Sequence, residues 1–105
     1  MLRIYPVSLE LVREVRPLAD RIARFDRDHA RQLRRSTLSM ASNIGEGCGH
    51  VGGVQRARFF DALGSARESL VQLECAEAAG YIGAIGPEMR NWFNHVIGTL
   101  VKVTR

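Results

Sequence analysis

The chain predicts an all-α fold, an antiparallel up-down-up-down four-helix bundle, on three observations. Apolar residues recur at steps of three and four through four long segments, the breaks between segments carry residues that end or start helices, and no segment competes as a strand. At 105 residues there is room for one domain, 1–105, with a single modest core that needs no disulfide or metal. An apolar share of 46% beside a charged share of 25% is that of an ordinary globular chain and excludes disorder as the main state.

Between Ser8 and Phe25 the stripe is Leu11, Val15, Leu18, Ile22 and Phe25. Ser8 is placed to cap this first helix, and Pro17, which removes one internal hydrogen bond, predicts a bend near Val15. Asp26 or Asp28 starts a second helix, whose stripe Ala30, Leu33, Thr37, Met40 and Ile44 runs out near Gly47. Residues 45–53 hold five glycines in nine positions, each unfavourable by about 1 kcal/mol against alanine inside a helix, and predict the longest connection. Phe60, Leu63, Ala66, Leu70, Leu73 and Ala76 mark a third helix over Gln55–Ala79, with Gly80 as its left-handed C-terminal residue. Gly86-Pro87-Glu88 opens the fourth, with Met89, Trp92, Val96 and Val103 as its core stripe.

A second apolar row on that helix, Phe93, Ile97 and Leu100, together with Phe59 beside Phe60, exceeds what one bundle core buries. These residues are expected to meet another subunit in a homo-oligomer, the alternative being one wide core-facing stripe.

Fourteen of the fifteen basic residues are arginine, and residues 1–58 carry a net +5 against −1 for residues 59–105. The planar guanidinium fork suits phosphate, so the asymmetry points to a polyanionic partner. Arg24, Arg27, Arg31, Arg34 and Arg35 gather at the end of the first helix and on one broad face of the second, the expected contact for RNA or DNA phosphates, while Asp26 and Asp28 compete for the same arginines. Arg56 and Arg58 are weaker candidates.

Other chemistry finds no support. Gly47, Gly49 and Gly52 match a dinucleotide-binding spacing but follow a helix, where that fingerprint follows a strand. Cys48, His50, Cys75 and His95 lack the spacing of a zinc knuckle, and Cys48 with His50 lacks an orienting acid or an oxyanion hole. No catalytic residue, metal or cofactor is therefore assigned, and the expectation is a protein without enzymatic activity. No apolar run approaches the ~20 residues that span a bilayer, and Met1–Pro6 lacks the apolar stretch of a signal peptide, so a cytoplasmic location away from membranes is expected.

The run Gln32-Leu33-Arg34-Arg35-Ser36, then Ser39 and Ser42-Asn43-Ile44-Gly45-Glu46-Gly47, resembles the signature of the bacterial four-helix-bundle family known from 23S rRNA intervening sequences. Phe59-Phe60, Ala62-Leu63-Gly64-Ser65, Glu68, Leu73-Glu74 and Ala79-Gly80-Tyr81 extend the resemblance over nearly the whole chain. That family is related in fold to the accessory variability determinant of diversity-generating retroelements, a homopentameric barrel that binds nucleic acid and a reverse transcriptase. The resemblance implies a pentamer with a basic surface, acting as a nucleic-acid adaptor or as a scaffold for a protein partner. This chain departs from the family where it has Gly45 for alanine, Cys48 for an aromatic residue and His50 for arginine. Asn43, Glu46 and Gly47 read as a structural device that ends the second helix, with glycine in the left-handed turn and the polar pair bonding freed backbone or neighbouring helices.

Overall fold

Helices start and stop where local chemistry satisfies the backbone groups that a helix end exposes. In the computed structural model, which describes residues 2–105, there are four: α1 Ile4–Ala23, α2 Arg27–Cys48, α3 Gly52–Ala78 and α4 Pro87–Thr104. Asp26 caps α2 by accepting a 2.9 Å hydrogen bond from the His29 amide. Removing that cap as Asp26→Ala should lower stability by about 1 kcal/mol in urea unfolding, and no change would mean that the α1–α2 turn is held by other contacts. At the end of α3, Gly80 adopts φ +78° and Tyr81 donates back to the Ala76 carbonyl at 2.9 Å, which closes the helix as a Schellman motif. Pro87 opens α4 at a position whose amide would be unpaired anyway.

Three boundaries differ from the sequence reading. α1 begins four residues before Ser8, because Pro6 fits the first helical turn; Ser8 is buried inside the helix and donates to the Tyr5 carbonyl at 2.7 Å. At Pro17 the helix is not broken, in keeping with the expected bend without a break. The glycine-rich stretch is mostly helical: Gly45 and Gly47 belong to α2, and only residues 49–51 separate it from α3. The longest connection is instead residues 79–86, between α3 and α4.

Each helix packs against its two neighbours in a cycle, α1 on α2, α2 on α3, α3 on α4 and α4 back on α1, in a body 42 × 25 × 20 Å. One core unites all four, built around Leu11, Ile22, Leu33, Met40, Ile44, Leu73, Phe93 and Leu100. No helix of the described residues is long and apolar enough to cross a membrane.

Two stripes are rotated from their expected positions. On α4 the core row is Phe93, Val96 and Leu100, while Trp92 and Met89 flank it and Val103 is exposed. On α3 Phe59 is buried and Phe60 is 66% exposed. Phe59, Phe93 and Leu100 are thus interior residues of the chain, and Ile97 packs half-buried against the same core. None of the first three can meet another subunit, since a face that fills a core presents no surface to a partner.

The α2–α3 seam is polar and small. Ser36 and Ser69 hydroxyls meet at 2.8 Å, Ser65 donates to Ser39 at 2.9 Å, Gln72 donates to Gln32 at 3.0 Å, and His29 Nε2 lies 2.7 Å from the Gln72 carbonyl. These pairs progress in opposite directions along the two helices, so they define the antiparallel register. Ser69 is wholly buried, and no described buried side-chain polar atom lacks a partner, the condition under which a polar seam specifies a register without destabilising it.

Candidate nucleic-acid interface

A helix that buries Ala30, Leu33, Thr37, Met40 and Ile44 must turn the residues between them outward. That arithmetic exposes Arg27, Arg31, Arg34 and Arg35 on the outer side of α2, and Arg24 follows the last turn of α1 at the adjoining end of the bundle. All five expected arginines are exposed, Arg34 on the α1 side of α2 and Arg31 and Arg35 on its α3 side. Beside the α1–α2 turn, the rings of Phe25 and Tyr81 stack with centroids 5.3 Å apart. Phe25 remains 63% exposed there, so the basic end of the bundle also offers an aromatic face.

The five are not equivalent. Arg31 pairs with Asp28 one turn away, and Arg34 reaches Asp20 of α1 at 2.7 Å. The Arg31 hydrogen bond, with a second from Gln32, holds the Asp28 carboxyl below the usual aspartate range, so the pair stays ionised through neutral pH. Arg24, Arg27 and Arg35 form no ion pair among the described residues. Arg27 occupies the first position of α2, where the positive end of the helix dipole disfavours a cation. Stability does not ask for an arginine there. Arg56 and Arg58 are engaged otherwise: Arg56 donates through Nε and Nη2 to the Thr104 carbonyl at 3.1 and 2.9 Å, and Arg58 pairs with Glu46 at 3.2 Å.

Arg31 and Arg35 also line a polar groove of about 470 Å³ between α2 and α3, with Gln32, Ser39, Ser65 and Glu68 as further walls. The serines were missed as surface donors because an apolar period gives them no weight, although both fall within the runs that carry the family resemblance.

The glycine-containing motif is arranged differently from its sequence reading. Gly47 is buried within α2 and does not adopt the left-handed turn; positive φ among the described glycines belongs to Gly52 and Gly80. Asn43 donates to the Ser39 carbonyl at 3.0 Å and to its hydroxyl at 3.2 Å. Glu46 holds Arg58, and the α2 end is closed by Gln55, whose amide donates to the Gly47 and His50 carbonyls at 3.2 and 2.8 Å. All these contacts are internal to the bundle.

No group of three or more histidine, cysteine, aspartate or glutamate side chains among the described residues could hold a metal ion. Cys48 and Cys75 are free thiols on different helices.

Residues 1–100 match the 23S rRNA-intervening sequence protein family. Among solved structures, a protein of unknown function from the S23 ribosomal protein family of Bacteroides thetaiotaomicron superposes with a TM-score of 0.80 at 20% identity, covering 97% of this chain and 98% of the other. At that identity the likeness establishes the fold. A search of curated proteins finds no match.

Proposed function

The chain belongs to the 23S rRNA-intervening sequence protein family, and from that premise and the basic outer face of α2 we propose a non-enzymatic, homo-oligomeric adaptor that holds RNA or DNA by its phosphates. The observation that carries the proposal is that Arg24, Arg27 and Arg35 have no acidic partner among the described residues, and that Arg27 stands where the helix dipole disfavours it. Arg27, Arg31 and Arg35 succeed one another at about 6 Å along the helix axis, close to twice the ~3.4 Å axial rise between phosphates of one strand. Such contacts bind charge and shape without reading bases. The assembly favoured by the resemblance is a pentamer, which would repeat the basic face around its rim and convert a modest charge into a multivalent one.

Binding measured across a salt series tests this. Arg27→Ala and Arg35→Ala should each reduce the slope of log K against log salt by about 1, and Arg34→Ala, whose charge Asp20 already offsets, should reduce it less. An unchanged affinity and slope in the Arg24/Arg27/Arg35 triple alanine variant would remove the site.

A second reading, a scaffold for a protein partner, draws on the exposed apolar residues of α3, Phe60 and Val71. Capture of a protein that survives nuclease treatment, and that the triple variant still captures, would favour it.

A further inference from the structure

α3 carries apolar residues on its outer side as well as its inner one. Ala57, Phe60, Gly64 and Val71 follow at helical spacing and are all exposed, with Phe60 at 66%. Absent side chains at Gly64 and a methyl at Ala57 leave Phe60 standing proud of the helix. Beside it Asp61 and Glu68, two turns apart on one flank, form no ion pair among the described residues, and the exposed Arg67 stands in line with Phe60 on the ridge itself.

Between α1 and α2 lies a groove of about 270 Å³ whose floor and wall are Val12, Val15, Thr37 and the 55%-exposed Leu38, with Arg16, Asp20 and Arg34 at its rim. Val12, Val15 and Leu38 supply its apolar surface, and its size falls below the ~300–1,000 Å³ of small-molecule sites and near that of one large side chain. Arg16 has no acidic partner among the described residues. α3 packs on α2 and α4, so its outer ridge lies away from this groove and a single chain does not fill its own.

Resting on the homo-oligomeric part of the function above, we propose that Phe60 on α3 of one copy seats in the α1–α2 groove of the next, joining chains head to tail. The occupant is a second copy because the two surfaces complement each other in shape and charge: an aromatic knob meets an apolar groove of side-chain size, and the Asp61–Glu68 edge meets Arg16, the groove cation that no described acid pairs, Arg34 being held by Asp20. A symmetric pairing of two α3 ridges lacks this match. In an antiparallel two-fold pair the same flank faces itself, which sets Asp61 and Glu68 against their own copies, and like charges brought together oppose association. Head-to-tail joining either closes a ring or extends a filament. It also divides the unpaired basic residues between two tasks: Arg16 serves the subunit contact, and Arg24, Arg27 and Arg35 remain on the open face.

The geometry makes a complementation test available. Phe60→Asp removes the knob and Leu38→Asp the groove wall, and both positions are exposed, so the helix content seen by circular dichroism should match the wild type, and thermal unfolding should stay cooperative at a midpoint lowered only by the lost association. In light scattering on a sizing column the wild type should exceed the 11.7 kDa of one chain, and each variant should run at that mass. An equimolar mixture should recover one intact contact, groove from the first variant and knob from the second, and stop at a pair of chains. A wild type that stays monomeric at all concentrations overturns both this contact and the homo-oligomeric reading. A Phe60→Asp variant that keeps the wild-type mass overturns this contact alone. Two monomeric variants that fail to pair when mixed overturn the head-to-tail arrangement.

Discussion

Phe93→Ala should lower the unfolding free energy by about 3–5 kcal/mol, the range for removing a buried aromatic ring from a packed core. Phe93 has no exposed surface and heads the α4 core row with Val96 and Leu100. Its loss opens a cavity that surrounding helices fill only in part, because each is fixed by two neighbours. Against a total of about 5–15 kcal/mol for such a domain, this is enough to leave the variant marginal at room temperature. The signature in urea is a lower midpoint with an unchanged slope, measured at one protein concentration because association adds stability by mass action. Phe60→Ala supplies the contrast: the same atoms leave an exposed site, and monomer stability should stay within about 0.5 kcal/mol. A Phe93→Ala variant that loses less than about 1 kcal/mol would mean that the α4 core row is misplaced.

The contrast between these two phenylalanines shows where the sequence is legible. On α2 the polar residues between Ala30, Leu33, Met40 and Ile44 leave one stripe, and all four are buried. Gly80 is equally clear, since it satisfies a named backbone need at a helix end, whereas the start of α2 is open between Asp26 and Asp28 until the cap contact to His29 selects Asp26. On α3 and α4, apolar residues stand side by side at 59–60 and 92–93, about 100° apart around the helix, and either member of each pair continues a period of 3.6. Periodicity alone cannot choose between them. What decides is the contact with the neighbouring helices, a tertiary fact with no local trace.

The candidate site divides along a similar line. That the arginines share a broad face follows from spacing alone, and all five are exposed. Which of them are neutralised does not follow. The Asp28 partner of Arg31 is three residues away and was anticipated, whereas the Asp20 partner of Arg34 is fourteen residues away on another helix. The engagement of Arg56 with the Thr104 carbonyl spans 48 residues and was equally invisible. Glycine misled most, because its low helix propensity argues for a loop while its lack of a side chain is what lets two helices approach.

That second role yields the last expected result: Gly47→Ala should destabilise the bundle, although alanine is the better helix former. A methyl at Gly47 would stand 2.5 and 2.7 Å from Cε1 and Cδ1 of the Phe59 ring and 3.3 Å from Arg58 Cβ. Phe59 is buried, so its ring cannot swing aside without displacing its neighbours. Overpacking of this kind costs about 1–3 kcal/mol, and the propensity gain of up to about 1 kcal/mol offsets only part of it. Gly45→Ala is the internal control. Its methyl meets Tyr5 Cε1 at 2.9 Å, but Tyr5 is only half-buried, at the start of α1, and can turn outward, so the propensity gain should survive and stability hold or rise. Combining Gly47→Ala with Phe59→Leu should then lose less than the sum of the two single changes, by at least about 0.5 kcal/mol, because both act on one contact. If Gly47→Ala matches the wild type, or if the pair is strictly additive, the close approach of α2 and α3 at this glycine is not what retains it. A salt-dependent nucleic-acid affinity that stays intact in folded Gly47→Ala would place the glycine in the architecture and leave the phosphate contacts to Arg24, Arg27 and Arg35.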